Sequence, residues 1–159
     1  MEGRDETELE QYDRNLTELM GEIRVALPGV QVLFAFLLVV PFNARFARTS
    51  RFEKDLYFAA LLCTLLASIL LIAPTVIHRL EFRHGDKAHV VRSANRLTIA
   101  GLVVLAVAMT CAIALVTLFL FGTPTAVATA TVAALAFSGI WFVIPLARRA
   151  RYERAGGQR

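Results

Sequence analysis

The sequence predicts an all-α fold, a membrane-embedded four-helix bundle preceded by an amphipathic N-terminal helix, and three observations predict it. First, 57% of the 159 residues are hydrophobic and the mean hydropathy is +0.58, well above what the roughly 45–50% apolar content of a soluble domain would give. Second, every Asp, Glu, Lys and Arg falls within residues 1–24, 45–55, 79–96 or 148–159. Third, the windows between them, residues 25–44, 56–77 and 97–147, hold no Asp, Glu, Lys, Arg or His. A helix crosses the ~30 Å hydrocarbon core with about 20 apolar residues, so the second window fits one span and the third fits two. The chain divides into an acidic helix at residues 1–28, a four-span domain at 29–147 with a hairpin at 78–96, and a basic tail at 148–159.

The N-terminal element is amphipathic. Leu9, Leu16 and Ile23 recur every seven residues, as do Tyr12, Leu19 and Ala26 between them, with Glu and Asp on the other faces. The first 24 residues carry eight acids against three arginines, whereas a secretory signal opens basic and then turns apolar, so this segment is not expected to be one. A helix that lies on anionic lipid has a basic polar face, and lipid repels this one. Pro28 disfavours helix at Leu27 and Gly29 permits a change of direction, which predicts that the helix bends away from the first span.

The first span, residues 30–44, has only about 15 residues before Arg45. It crosses by thinning the bilayer locally or by letting Arg45 snorkel, or it is a re-entrant segment. Its Leu, Val and Phe side chains predict a lipid-facing surface. The second span covers residues 56–77, the third 97–121 and the fourth 124–147. At the "GTPT" between the last two, Gly122 can end one helix, Thr123 can cap the next, and Pro124 suits the first helical position. Cys63 and Cys111 fall at similar depth in spans two and three; a disulfide is geometrically conceivable, but buried cysteines ordinarily act as small free hydrophobes.

The stretch "HRLEFRHGDKAHVVRSANR" connects spans two and three and holds all three histidines. Gly85 reads as a helix stop and Asp86 as a cap, with Val90, Ala94 and Leu97 at helical spacing beyond. In a hairpin turning at Gly85, His84 is at the tip, while His89 and His78 lie roughly 6 and 10 Å down opposite arms. Zinc ligands must converge within ~2.1 Å of one point, so no metal site is expected. His78 borders the membrane and reads as a pH-sensitive interfacial group.

Residues 77–96 carry a net charge of +3 and residues 148–159 a net charge of +4. Arg79, Arg83, Arg92 and Arg96 in the hairpin, with Arg148, Arg149, Arg151 and Arg154 in the tail, are expected to contact anionic headgroups at about 1 kcal/mol each, or the acidic helix. Trp141 and Phe142 stand where an interfacial anchor is expected. Placing both termini inside puts 13 of the 17 Lys and Arg on the cytoplasmic side, which predicts a multi-pass protein of the cytoplasmic membrane with cytoplasmic termini. The basic tail is too short to suggest nucleic-acid binding.

Rows of small residues run along three spans: Ala60, Thr64 and Ser68; Ala106, Thr110 and Ala114; and Ala126, Ala130, Ala134 and Ser138. Such rows let helix backbones approach closely, which drives packing where lipid provides no hydrophobic incentive. The spans hold no charged or imidazole group, and the sequence shows neither a nucleophile with a base nor a Gly-rich phosphate loop. No enzyme activity, metal or cofactor is expected.

The stretches "RNLTELMGEIRVALPGVQVLFAFLLVVPFNARF", "LYFAALL", "IAPTVIHRLEFR" and "ANRL" resemble a family of small four-span membrane proteins of unknown function, found mainly in actinobacteria. Some of its members carry an automatic sodium:proton antiporter label. That label implies a titratable group at membrane depth, and these spans have none. The expected function is a non-enzymatic adaptor, scaffold or oligomeric membrane component, working with membrane lipids, with itself or with a membrane protein partner. The alternative is a small-solute or ion transporter or channel formed by an oligomer whose Thr and Ser rows line the path.

Overall fold

A computed structural model describes residues 8–44, 46–81, 87–148 and 150. Among them are four long helices and no strand. Helix α1 spans Glu8–Val39, α2 Arg51–Glu81, α3 Lys87–Phe121 and α4 Thr123–Phe137. Two 3-10 turns, Val40–Phe42 and Phe46–Arg48, join α1 to α2, and α4 continues into a π-helical segment, Ser138–Val143. Four stretches are long and apolar enough to cross a membrane, Thr17–Phe42, Arg51–Leu80, Val90–Phe121 and Thr123–Arg148. The chain is a multi-pass membrane protein.

The helix does not stop at Pro28: α1 is one helix of 32 residues with Pro28 inside it. Proline removes one N–H, the α-register partner of the Arg24 carbonyl, and that local cost is offset by packing on both sides of it. Ile23, Val30 and Leu37 are all buried, seven residues apart, so the heptad that begins in the acidic segment continues in phase through the membrane. Leu19 and Ala26 are half-buried on the same stripe, whereas Pro28 and Gly29 are exposed. The acidic helix and the first span are therefore one element, and the candidate span runs Thr17–Phe42, with its charge-free part beginning at Val25. The side chains of Leu9, Tyr12 and Leu16 lie outside the described set.

A second proline stops α1. In α-helical register the Leu37 carbonyl would accept from residue 41, and Pro41 has no N–H to give. The Tyr57 hydroxyl donates to that carbonyl instead, at 3.0 Å. Phe46 stands edge-on to the Tyr57 ring, centroids 5.2 Å apart. Helix α2 then starts with a reciprocal cap: the Ser50 N–H donates to Glu53 Oε2 at 2.6 Å, and the Glu53 N–H donates to Ser50 Oγ at 3.2 Å. Both orphan donors are satisfied by the Ser-x-x-Glu pattern.

The α2–α3 pair forms the centre of the molecule. On α2 the buried face is Tyr57, Ala60, Thr64, Ala67 and Leu71; on α3 it includes Ala94, Thr98, Leu105 and Ala108. Gly101 lies between them so closely that a Cβ added there would stand 2.9 Å from Leu71 Cγ and Cδ2. Val30 from α1 joins Ala67, Leu71 and Leu105 in one apolar cluster, while Leu37 joins Tyr57 and Ala60 in another. Cys63 and Cys111 are both half-buried free thiols. The turn expected at Gly85 and Asp86 lies outside the described residues.

Gly122 serves both α3 and α4. Its N–H donates to the Leu118 carbonyl at 3.1 Å, and its own carbonyl accepts from the Ala126 N–H at 3.1 Å. Its φ of 85° lies in the region glycine tolerates best. The N-cap is thus Gly122, with no side-chain bond, and not the expected Thr123; the reversal of direction uses one residue, so Thr123 is already helical. Among the described residues α4 packs on α3 and on neither α1 nor α2. The Thr117 and Thr129 hydroxyls meet across that contact at 2.9 Å, and Ala126 is the one buried residue of α4. Below it the helix widens at Ser138 and Gly139, where the Ile144 N–H reaches back to the Gly139 carbonyl. Pro145, one turn on, cannot supply the α-register donor to Trp141.

Candidate functional site

Because the helices alternate in direction, the start of α1, the end of α2, the start of α3 and the far end of α4 share one end of the bundle. Helix α3, 35 residues long, extends about 52 Å at 1.5 Å per residue, some 20 Å more than the hydrocarbon core. Its other end finishes at the apolar Phe121, so the excess lies at the shared end, where Arg92 and Arg96 are. Arg79, Arg92, Arg96 and Arg148 are all exposed there. On α1, Glu18, Glu22 and Arg24 are exposed too.

Apolar contacts hold the α1 side of this end in place. Ile23 is buried, and the Thr75 hydroxyl approaches Met20 Sδ at 3.5 Å. Glu18 pairs weakly with Arg14 on its own helix, at 3.9 Å. Among the described residues no ion pair joins Glu18 or Glu22 to Arg79, Arg92 or Arg96. Arg83, Arg149, Arg151 and Arg154 lie outside the described residues, as does His84. His78 is half-buried in the last turn of α2, and the side chain of His89 is outside the described set. Among the described residues no three His, Cys, Asp or Glu side chains are grouped to hold a metal. Trp141 stacks edge-on against Phe137, 4.9 Å between centroids.

The small-residue rows divide by burial. Ala60, Thr64, Ala106 and Ala126 are buried; Ser68, Thr110, Ala114 and Ala130 are half-buried, and Ala134 and Ser138 are exposed. The hydroxyl protons in the rows are used locally. Thr64 donates to the Ala60 carbonyl at 2.7 Å, Ser68 to Thr64 at 2.9 Å and Thr110 to Ala106 at 2.7 Å. Thr98 does the same, to Ala94 at 2.9 Å. Such back-bonding satisfies a hydroxyl within its own helix.

A close approach of α2 to α3 falls elsewhere, at Gly101, against Leu70 and Leu71, on the face of α3 that also buries Ala94 and Thr98, and the hydroxyl pair that joins α3 to α4 is Thr117 and Thr129. The signal for the first group was present: Ala94, Thr98, Gly101, Leu105 and Ala108 repeat at spacings of three and four. Rows read at a strict spacing of four miss it, because they drift off a 3.6-residue face after two turns.

The chain belongs to a family of unknown function, DUF6328, whose model matches residues 5–145. Neither the curated proteins nor the solved structures contain a match to it.

Proposed function

We propose that the chain is a non-enzymatic adaptor of the cytoplasmic membrane, with both termini in the cytoplasm, that presents its charged end to a protein partner. The observation that carries this reading is the exposed charge of both signs at that end, Glu18 and Glu22 on α1 against Arg79, Arg92 and Arg96 on α2 and α3, with no ion pair joining the two sets among the described residues. Exposed charge that is not paired from one helix to the next steers and orients an encounter with a complementary surface. Arg148, next to the membrane boundary, adds attraction to anionic headgroups. A transport path through one chain is disfavoured, since the hydroxyls that would line it are bonded to their own helices.

Photo-crosslinkers at Glu18 and Arg92 in native membranes test the reading, with one at lipid-facing Phe58 as the control. A discrete protein adduct is expected from the first two positions and not the third, and Arg92→Glu with Arg96→Glu should abolish the adduct at Glu18. Cysteines introduced at Asp86 and Gln158 should resist a membrane-impermeant thiol reagent applied to intact cells. Adducts with lipid alone would overturn the reading, as would solute flux through liposomes of the pure protein that is lost on Thr64→Leu or Thr110→Leu.

A further inference from the structure

At the opposite end of the bundle, the connection between α1 and α2 leans over the last turns of α3 and leaves two adjoining cavities. One, of about 300 Å³, is apolar, lined by Val40, Phe46, Leu115, Val116 and Leu120 among others. The second, of about 530 Å³, is lined by Ala44, Arg48, Thr49, Glu53 and Phe119. Thr49, Glu53 and Phe119 line both, so a ligand can occupy the two together. Leu115 lies six residues before the end of α3, which sets the apolar floor about 9 Å below that helix end. The volume of the apolar part equals roughly ten water-sized volumes, room for part of one hydrocarbon chain.

Among the described residues that line the mouth, the charges are one of each sign, Arg48 and Glu53. Arg51 is committed to Asp55, with Nε 3.1 Å from Oδ1. Arg48 makes no ion pair among the described residues. Glu53 uses Oε2 on the Ser50 N–H, while its Oε1 has no hydrogen-bond partner among the described residues. An anionic ligand would meet Glu53, and a cationic one would meet Arg48.

We propose that this junction binds one zwitterionic phospholipid bearing a primary amine, its hydrocarbon chain against Leu115 and Val116, its phosphate at Arg48 and its ammonium at Glu53. A primary ammonium donates hydrogen bonds that a quaternary one lacks, so the carboxylate selects an ethanolamine headgroup over a choline one. The site is separate from the charged end where the partner is proposed to dock, and either proposal can fail without the other.

The test is competition among lipids on the full-length protein. Nanodiscs holding phosphatidylethanolamine, phosphatidylcholine and phosphatidylglycerol in equal amounts are dissolved in detergent, and the lipid retained is read by native mass spectrometry. One retained phosphatidylethanolamine is expected, favoured about two- to five-fold over each competitor, the range an exposed ion pair provides. Glu53→Gln keeps the helix cap, since glutamine serves equally in that motif, and should bring the preference close to one with helix content unchanged. Val116→Trp fills the apolar floor and should lower retention of all three lipids. Equal retention of the three by the unaltered protein overturns the proposal, as does a preference for phosphatidylglycerol or an ethanolamine preference that survives Glu53→Gln.

Discussion

Substituting Gly101 by alanine opposes two effects of known sign. In a helix interior alanine is favoured over glycine by about 0.8–1 kcal/mol, so on propensity alone the variant is more stable. The new methyl, however, would sit 2.9 Å from both Cγ and Cδ2 of Leu71 and 3.3 Å from Leu70 Cβ. Leu71 is fully buried and shares its cluster with Val30, Ala67 and Leu105, so it can yield only by pressing on packed neighbours or by moving α2 away from α3. Overpacking of this kind costs about 1–3 kcal/mol, and the net expectation is a loss of about 1 kcal/mol. Gly101→Val adds two further methyls and should cost about 3 kcal/mol. Unfolding in mixed micelles, titrated with a denaturing detergent and followed by helix content, measures both, with the reactivity of Cys63 and Cys111 as a second probe. Gly21→Ala and Gly29→Ala are the controls: nothing lies within 4 Å of a Cβ at either position, so each should stabilise. If Gly101→Ala also stabilises by about 1 kcal/mol, the close approach of α2 and α3 at this point is refuted.

Tyr57→Phe should cost about 1–2 kcal/mol by leaving the Leu37 carbonyl unpaired; adding Pro41→Ala restores an N–H in register and should recover most of the loss in the same titration. A double-mutant cycle on Thr117→Val and Thr129→Val should return a coupling of about 0.6 kcal/mol, the average for side-chain hydrogen bonds between membrane helices. Ile23→Asp buries an unpaired charge and should speed proteolysis near Met20 by at least about ten-fold, a change of about 1.4 kcal/mol. Reversing the exposed Glu18 and Glu22 to lysine should change that rate by less than about three-fold, since surface pairs contribute little.

The distribution of charge made the helical membrane architecture legible, because a run without charged groups has few other stable environments. Element boundaries were less so. Pro28 and Gly29 were read as a break on local grounds, yet the spacing that overrules them was in the sequence, since Leu9, Leu16 and Ile23 continue into Val30 and Leu37. A proline costs one hydrogen bond wherever it stands; whether the helix survives depends on what its neighbours bury, which is a tertiary fact. Ser50 and Glu53 formed a readable capping box that a reading of residues 45–55 as charge alone passed over. Arg92 and Arg96 are exposed, but which of them meets what depends on distances the sequence does not carry. The lipid-sized cavities were not legible, since they arise where a loop from one helix pair leans on the end of a third.

Helix α4 is held differently from the others. Among the described side chains α1 buries a stripe from Ile23 to Leu37, α2 one from Tyr57 to Leu71 and α3 one from Val90 to Ala108, whereas α4 gives up Ala126 and shares one hydroxyl pair, with Val127, Val132, Leu135 and Ile140 exposed. In water that surface would be a defect. In hydrocarbon it is the ordinary solvent-facing surface, and burying it against α3 brings no hydrophobic gain. What holds α4 in place is therefore local to its start: the one-residue reversal at Gly122, the close contact at Ala126 and the bridge from Thr129 to Thr117, all within two turns. Past Ser138 the α-register is lost, Pro145 breaks it again, and residues 143–148 are exposed. Segments with few buried contacts open at the lowest free-energy cost, so the least constrained part of the membrane domain is the one that leads to Arg148 at the charged end. Constraint falls along α4 from Gly122 towards the surface that a partner would meet.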